Sequence, residues 1–361
     1  MSFFDKHPDL IVRQPDPFNG GPPPGRLAGH FITSNDLFFV RNHGGVPAVD
    51  RDAYRLVIDG LVDQPLSLSL SDLRRFPRST VTATLQCAGN RRQEMMAEKP
   101  IPDELPWGTE AVSNAEWSGA LLRDVLAAAG LRPEALHAAF TGLDDTERHG
   151  HRFNFGGSIP LDKALSGEVL LADTMNGQPL PSVHGAPLRV VVPGYIGARS
   201  VKWLSRITLQ EKPSDNYFQA KAYRLFPPHF NKDNVDWERG LMLGEAPVSS
   251  VILSPQEKAT VPAGKVAVRG WSLAGGNRSV FRVDVSADGG GTWTVADFVQ
   301  GQGAFVWRLW EAVIDLAPGP REIVCRAWDT AAQTQPERAA QVWNFKGYAN
   351  NAWHRVRVTC V

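Results

Sequence analysis

Residues 84–94 read TLQCAGNRRQE and place one thiol, one glycine and two adjacent arginines directly after the strand-like run TVTATL of residues 80–85. A thiol beside fixed positive charge ionises readily, and the soft thiolate that results suits a metal ion. The same residue types are equally typical of a buried structural cysteine next to surface arginines. Whether Cys87 has a reactive or a structural role therefore depends on the residues in the neighbouring segments.

The two other cysteines give no support for a disulfide framework or a zinc site. Cys325 lies in the strand-like segment EIVCRAW, where a small thiol is ordinary core filling, and Cys360 is one residue from the end. No cysteine has a partner at the C-x-x-C spacing. Cys87 therefore has to be interpreted as a single residue.

Upstream, the segment FFVRNHGGVP of residues 38–47 carries Arg41 and His43 two positions apart. In an extended segment this spacing puts both side chains on one side, where they can clasp a small oxyanion. Taken alone, the pair is also typical of a surface salt-bridge donor and a hydrogen-bonded histidine.

Downstream, two glycine-containing loops are basic. His184 and Arg189 lie in PSVHGAPLR, and Arg199, Ser200 and Lys202 lie in GYIGARSVKW. Glycines allow backbone amides to approach a phosphate, and arginine and lysine supply the charge. The loops predict a site for a phosphorylated cofactor, with a solvated basic face as the alternative.

The size and charge of the chain set limits on its class. Its 361 residues, 43% of them hydrophobic, predict two domains. Lys+Arg and Asp+Glu both number 38, so no global charge favours nucleic acid or an acidic membrane surface. No apolar run is long enough for a membrane span, and the start MSFFDKHPDL has no export signal. We therefore expect a cytoplasmic protein.

The first part of the chain predicts a mixed α+β domain with much irregular loop. Residues up to about Pro24 are rich in Pro, Gly, Asp and Asn and predict an arm on the surface. Residues 54–70 predict strands followed by a short helix capped by Ser71. Residues 118–130 predict a helix that stops at a glycine, and residues 188–192 and 205–209 predict further strands.

After about Leu243 the pattern changes to short, Val-, Ile- and Trp-rich segments separated by turn residues. The predicted strands cover residues 266–271, 280–286, 292–295, 311–316, 322–328 and 341–345. Their spacing predicts an all-β sandwich of immunoglobulin type. We place the boundary in residues 244–250, which gives domains 1–245, with the arm 1–25, and 246–361.

Together, FFVRNH, LQCAGNRR-x-EM, the long run NGQPLPSVHGAPLRVVVPGYIGARSVKWL and the terminal NAWHRVRV resemble the sulfite oxidase family of molybdopterin oxidoreductases. That family includes the haem-free plant-type sulfite oxidases, the catalytic subunits of bacterial sulfite dehydrogenases and the molybdenum domain of eukaryotic nitrate reductase. The resemblance covers the chain from about Asp16 to the end, and the motifs occur in the same order.

The resemblance implies a molybdenum-molybdopterin catalytic domain of the sulfite oxidase fold, followed by an immunoglobulin-like domain that forms a homodimer contact. Cys87 would be the single protein ligand of molybdenum. The residues implied to hold the cofactor are Phe39, Val40, Arg41, Asn42, His43, Asp145, His184, Arg189, Ser200, Val201 and Lys202.

The resemblance also implies the reaction, the oxidation of sulfite to sulfate by oxygen-atom transfer. The implied catalytic residues are Arg41, His43, Arg92, Trp107, Tyr223 and Lys346. Without the motif, Tyr223 would be typical of a packed tyrosine with its hydroxyl hydrogen-bonded. No haem-binding domain is expected, so electrons would pass to an external acceptor such as dioxygen or a cytochrome.

Two positions depart from the family pattern. Ala222, preceded by Lys221, stands where relatives carry an aspartate before the tyrosine, and Lys346 stands where a substrate arginine is expected. A lysine keeps the charge but loses the bidentate fork of a guanidinium. The affinity and selectivity for anions are therefore expected to differ.

Two other functions remain open from the sequence. The first is the reduction of nitrate or another oxyanion at the same centre, since the Arg-Asn-His-Gly segment is shared with nitrate reductase, whereas the LPW context of Trp107 favours sulfite oxidases. The second is a non-catalytic scaffold built on the immunoglobulin-like half, which would contain no metal and would leave the basic loops without a role.

Overall fold

The computed structural model describes residues 3–361, with strands as its main elements. The first part of the chain contains, in order, β1 (Ile11–Gln14), β2 (Asn19–Gly21), α1 (Pro24–Leu27), β3 (Leu56–Gly60), β4 (Leu66–Leu68), α2 (Leu70–Leu73), β5 (Arg78–Gln86), α3 (Arg92–Glu98), β6 (Val112–Leu121), α4 (Leu122–Ala129), β7 (His137–Arg148), β8 (His151–Pro160), α5 (Leu161–Ala164), β9 (Leu170–Met175), β10 (Gln178–Pro179), β11 (Arg189–Val191), β12 (Leu204–Gln210), β13 (Arg224–Leu225) and β14 (Leu241–Met242).

The second part contains β15 (Ser249–Ser254), β16 (Thr260–Val261), β17 (Gly264–Leu273), β18 (Val280–Ser286), β19 (Thr294–Val295), β20 (Asp297–Gln300), β21 (Arg308–Leu316), β22 (Gly319–Asp329), α6 (Ala339–Val342) and β23 (His354–Cys360). Short single-turn helices lie at Phe3–Asp5, Ser182–His184, Gly197–Arg199, Phe218–Ala222 and Trp237–Arg239. None of the helices in residues 3–361 is both long enough and apolar enough to cross a membrane.

Two sheets and helix α4 enclose the core of the first part. One sheet has the order β10-β9-β6-β5 with β11 paired to β9, and the other has the order β4-β3-β12-β7-β8. Leu122, Val125 and Leu126 of α4 pack with Ile58 and Ile207, which lie on neighbouring strands of the second sheet. This arrangement confirms the predicted α+β domain.

Two further sheets form the second part. Their orders are β15-β17-β21-β20 and β16-β23-β22-β18-β19. The shared core includes Val268 and Trp310 from the first of these sheets and Val283 and Ile323 from the second. Cys325 is fully buried among them, as expected of a structural thiol. The predicted sandwich is therefore confirmed.

Two local predictions, the bounds of one helix and the cap of another, were wrong in detail. The helix predicted over residues 118–130 covers only Leu122–Ala129, because the preceding residues close strand β6, where Gly119 pairs with Ala172 of β9. A Cβ at Gly119 would lie 1.9 Å from the Leu171 carbonyl oxygen, so the close strand pairing accounts for this glycine. The cap of α2 is Ser69 instead of Ser71, in a reciprocal capping box with Asp72.

The strand predicted over residues 341–345 is absent from the described structure. The segment instead leaves helix α6 as a loop whose aromatic side chains pack away from the sandwich. Trp343 Nε1 donates to the Lys99 carbonyl at 3.1 Å, and the Phe345 ring lies 5.2 Å from that of Phe226. Contacts with the first domain therefore override the strand propensity of this segment.

The N-terminal arm is embedded in the structure, contrary to the prediction of a surface segment. Lys6, Phe18 and Asn19 are buried, and Gly20 forms a bridge with Val40. Asn19 Nδ2 donates to the Asn42 carbonyl at 3.1 Å. The arm thus covers residues 40–42, in the segment that carries Arg41 and His43.

Candidate active site

The inner cavity is a hollow beside the end of strand β5. It is lined by Phe38, Phe39, Val40, Arg41, His43, Leu85, Cys87, Asp144, Phe155, His184, Arg189, Gly197, Ala198, Ser200, Lys202 and Tyr223. Most of the residues predicted to hold a cofactor are therefore brought together, although they come from separate loops.

Cys87 directly follows β5, and its thiol lines the inner cavity. Its backbone N–H donates to the Ala111 carbonyl at 2.9 Å, which fixes the residue at the end of the sheet. Its Sγ accepts a hydrogen bond from the Gly89 N–H at 3.4 Å. This amide contact fixes the position of the sulfur beside the cavity.

His43 is held by two arginines and a tyrosine. Arg41 Nη2 lies 3.1 Å and Arg148 Nη2 lies 3.2 Å from His43 Nδ1. A guanidinium can only donate, so Nδ1 accepts and the ring hydrogen is on Nε2, which donates to Tyr223 Oη at 2.8 Å. The hydroxyl hydrogen of Tyr223 is then left for a partner in the inner cavity, which this tyrosine lines.

The pKa values around His43 agree with this tautomer. Burial, followed by the charges of Arg41 and Arg148, holds the pKa of His43 well below its usual value, so the ring is neutral. Burial raises the pKa of Tyr223, which keeps its phenol protonated. Both side chains can therefore act as neutral hydrogen-bonding groups.

A cluster of buried basic groups forms another wall of the inner cavity. Burial lowers the pKa of Arg189 to about 9, and burial followed by neighbouring cations lowers the pKa of Lys202 and of His184 well below the usual values. Lys6 of the arm lies 3.1 Å from His184 Nε2, and burial lowers its pKa to about 7. So much buried positive charge is costly unless an anion balances it.

Asp144, not the predicted Asp145, lines the inner cavity. Successive side chains of β7 alternate between its two faces, so Asp144 is buried while Asp145 is exposed and paired with Arg152. Among residues 3–361, Asp144 is the one carboxylate that lines this cavity. Burial raises its pKa to about 6, and nearby Lys202 partly opposes that rise.

The inner cavity fits a pterin that carries a phosphate. Within the described residues, Asp144 Oδ1 and Arg189 Nε are buried without a hydrogen-bond partner, so the cavity offers both an acceptor and a donor to a bound group. The carboxylate suits the N–H groups of a pterin, and the basic cluster suits a phosphate.

The outer cavity shares Arg41 and His43 with the inner cavity. It is lined by Gln14, Pro17, Arg41, Asn42, His43, Asp103, Glu104, Leu105, Arg148, Tyr217, Phe218, Ala222, Lys346 and Tyr348. The predicted catalytic residues Arg41, His43 and Lys346 therefore face this space, and Tyr223 faces the inner cavity. The two cavities therefore adjoin at Arg41 and His43.

Arg92 does not line either cavity, contrary to the prediction. Its guanidinium donates to the carbonyls of Leu105 at 2.8 Å, Lys346 at 3.1 Å and Gly347 at 3.2 Å. A Cβ at Gly347 would lie 2.6 Å from Arg92 Cγ, so the glycine leaves room for this clamp. Arg92 holds together two loops that flank the outer cavity.

Trp107 and Val201 also lie behind the cavity walls, whereas Asn42 lines only the outer cavity. Trp107 is fully buried in the same hydrophobic cluster as Cys87, and its Nε1 has no partner within the described chain. Val201 is part of the main core. Asn42 is absent from the inner cavity but accepts a hydrogen bond from Lys202 Nζ through Oδ1, so it positions that lysine.

Three charged residues were missed by the sequence analysis. Glu104 pairs with Lys346, Arg148 reaches His43 from the end of β7, and Lys6 reaches His184 from the arm. Glu104 adjoins the LPW segment that was already singled out, so its charge was a usable signal. Arg148 and Lys6 belong to no motif, and only the fold brings them to the site.

Two segments of the chain match known protein families. "Oxidoreductase molybdopterin binding domain" matches residues 43–218, and "Mo-co oxidoreductase dimerisation domain" matches residues 241–361. The first range contains Cys87 and most residues of the inner cavity, and the second contains the sandwich.

Curated relatives match nearly the whole chain. The mitochondrial sulfite oxidase of Homo sapiens is 46% identical over 98% of this chain, and the chain spans 66% of that protein. The sulfite oxidase of Arabidopsis thaliana is 41% identical over 97% of this chain and 94% of its own length. The NADH nitrate reductase 1 of Oryza sativa is more distant, at 36% identity over 42% of its length.

Among solved structures, the sulfane dehydrogenase SoxCD from Paracoccus pantotrophus is similar in fold. The TM-score is 0.81 at 29% sequence identity, and the match covers 97% of this chain and 86% of that one. The arrangement of both domains is thus shared with a protein of similar size.

Proposed function

This chain belongs to the sulfite oxidase family of molybdopterin oxidoreductases, and on that premise we propose that it oxidises sulfite to sulfate by oxygen-atom transfer. The observation that carries the proposal is the junction of the two cavities. There, Arg41 and His43 face the space that an anion can enter, while Cys87 and Tyr223 face the space that fits the cofactor.

In this proposal, the cofactor is a molybdenum-molybdopterin held in the inner cavity. Cys87 supplies a thiolate ligand to the metal, Asp144 accepts from the pterin, and His184, Arg189 and Lys202 bind the phosphate. The bound molybdenum supplies the two-electron redox chemistry and the site of oxygen transfer. The basic cluster supports this assignment, because Asp144 is the one carboxylate that lines the cavity in the described residues and a bound phosphate would balance the remaining positive charge.

The chain's own residues bind and orient the substrate. Arg41 and Arg148 present guanidinium groups at the outer cavity, and Lys346 adds an ammonium group. Guanidinium forks match the oxygens of a small oxyanion well. The anion would therefore be held beside His43, at the opening to the inner cavity.

His43 and Tyr223 control a hydrogen at the reacting end of the substrate. With Nδ1 held by two arginines, the His43 Nε2–H donates to Tyr223, so the phenol can donate its own hydrogen into the inner cavity. This orientation suits a phenol that stabilises an oxygen during transfer and passes a proton as electrons leave.

The electron acceptor and the partners are also proposals. We propose that electrons pass to an external acceptor, either dioxygen or a cytochrome, without a haem in this chain. The match to a dimerisation domain supports a homodimer through residues 241–361. A cytoplasmic location stays a prediction, which cell fractionation would test.

The experiment is a molybdenum determination on protein from a host that makes the cofactor, paired with sulfite-dependent reduction of ferricyanide. We expect close to one molybdenum per chain and rapid reduction. Nitrate turnover without sulfite turnover would replace the proposal by an oxyanion reductase. Protein without molybdenum from such a host would contradict the cofactor assignment.

A further inference from the structure

The outer cavity holds a carboxylate where an anion site would be expected to hold only cations and neutral groups. Glu104 Oε1 pairs with Lys346 Nζ, and Glu104 Oε2 lies 3.5 Å from Arg92 Nη2. The side chains of Glu104 and Lys346 are each only 15% exposed. Water therefore screens this pair weakly, and its charges act on whatever enters the cavity.

Glu104 is ionised in this position. Burial acts to raise its pKa, but the charges of Arg92 and Lys346, together with the Lys346 hydrogen bond, outweigh burial and lower the pKa. The negative charge thus persists at neutral pH. It offsets the charge of Lys346 and leaves Arg41 and Arg148 as the less compensated cations of the outer cavity.

We infer that Glu104 is a specificity-determining residue, which lowers the preference of the outer cavity for doubly charged over singly charged oxyanions. A fixed negative charge repels a dianion about twice as strongly as a monoanion at the same distance. The inference rests on the proposed function only in that the outer cavity admits the substrate anion.

The adjacent acid provides a matched control. Asp103 also borders the outer cavity, but its side chain is 81% exposed and pairs with Lys232 at the surface. Solvent and salt screen a charge at such a position. Replacing Asp103 therefore changes the formal charge by the same amount as replacing Glu104, without removing a buried charge from the cavity.

The experiment measures direct binding of sulfate and nitrate to the molybdenum-loaded protein by calorimetry, at one ionic strength. The variants are Glu104→Gln and Asp103→Asn. For Glu104→Gln we expect sulfate to bind about tenfold more tightly and nitrate about threefold more tightly. The reason is that the removed carboxylate repels the doubly charged sulfate about twice as strongly as the singly charged nitrate. Asp103→Asn should leave both dissociation constants within about twofold of the unchanged protein.

Four outcomes would overturn the inference. The first is equal tightening for the two anions, and the second is an Asp103→Asn effect as large as that of Glu104→Gln. The third is weaker sulfate binding in Glu104→Gln, which would mean that Glu104 serves to position Lys346. An absence of competition between the two anions would likewise show that they do not share the outer cavity.

A second variant keeps the inference testable if Glu104→Gln does not fold. Lys346→Met removes the nearer cation of Glu104 and leaves Arg92 as its remaining partner, so the charge of Glu104 is less compensated. The preference for nitrate over sulfate should then increase, by at least about threefold. An unchanged preference would contradict the inference.

These measurements are independent of turnover. If the variants bind the anions with the expected selectivities but the protein does not oxidise sulfite, the proposed function is wrong and the role of Glu104 stands. If the protein oxidises sulfite but the selectivity does not change, the proposed function stands and the role of Glu104 is wrong.

Discussion

The inner and outer cavities share Arg41 and His43 but differ in how far their positive side chains are balanced by carboxylates. In the inner cavity, the basic groups Arg189 and Lys202 face a single carboxylate, Asp144, and buried polar atoms remain without partners within the described chain. In the outer cavity, Lys346 is paired with Glu104. The inner cavity is thus incomplete without an anionic occupant, whereas the outer cavity is already largely balanced.

This difference fits two kinds of ligand. A permanently bound cofactor can be paired with charges that are unfavourable in its absence, because its binding free energy compensates for them. A substrate has to enter and leave in every turnover, so a site that is strongly unbalanced without it would hold it too tightly.

Replacing Cys87 by serine should have the largest effect. A hydroxyl is a poor substitute for a soft thiolate as a ligand of molybdenum, so we expect sulfite turnover to be lost while the fold is kept. Steady-state assays, molybdenum content and circular dichroism would be measured together. Cys325→Ala is the control, since this thiol lies 3.3 Å from Ser250 Oγ inside the sandwich and should be dispensable for turnover. Full activity of molybdenum-loaded Cys87→Ser would show that Cys87 is not the required ligand of molybdenum.

The two adjacent aspartates test which face of β7 contacts the cofactor. Asp144→Ala removes the carboxylate of the inner cavity, and we expect molybdopterin to bind roughly tenfold or more weakly, as the loss of a charged hydrogen bond predicts. Asp145→Ala removes an exposed partner of Arg152 and should leave binding unchanged. Pterin content after purification would be compared for both variants. Weaker binding in Asp145→Ala alone would restore the original assignment.

Arg41 tests the connection between the cavities. In Arg41→Gln we expect the KM for sulfite to rise about tenfold or more, because a cationic donor to the anion is lost. The effect on kcat should be smaller, since Arg148 still holds His43 Nδ1. Steady-state kinetics over a range of sulfite concentrations would separate the two parameters. If KM does not change, the anion binds somewhere other than the junction.

The sequence predicted the inner cavity better than the outer one for a physical reason. Cys87, His184, Arg189 and Lys202 lie in continuous glycine-containing motifs, where spacing and residue type carry the chemistry. Arg148 reaches the site because the long β7–β8 hairpin folds back toward it, and such a tertiary contact leaves no local pattern. The family resemblance implied Asp145 instead of Asp144, because a motif match does not show which face of a strand is buried.

The same reasoning applies to the fold. The alternating, β-branched strands of the sandwich were predictable because each one carries its own periodic signal. Residues 341–345 have similar composition, yet they end helix α6 and continue as a loop, since Trp343 and Phe345 contact the first domain. The prediction of an exposed N-terminal arm was wrong for the converse reason. Its Pro- and Gly-rich composition predicts exposure, whereas Lys6 and Asn19 are buried through hydrogen bonds that composition does not encode.

The pH dependence of stability gives the smallest effect and tests the charge imbalance itself. In the cofactor-free chain, burial and the charges of Lys6, Lys202 and Arg189 hold the pKa of His184 well below its unfolded value. As pH falls below about 6.5, the unfolded chain therefore binds a proton that the folded chain does not, and the free energy of unfolding decreases by up to about 1.4 kcal/mol per pH unit from this residue.

A bound anionic cofactor should raise the pKa of His184 toward its usual value and reduce this loss. Urea unfolding of loaded and cofactor-free protein between about pH 7 and about pH 5 would measure the difference. His184→Asn should reduce the acid sensitivity of the cofactor-free form, while substitution of the exposed His151 should not. Identical pH profiles for the loaded and cofactor-free forms would mean that the cofactor's negative charge lies away from His184, and the basic cluster would then need another occupant.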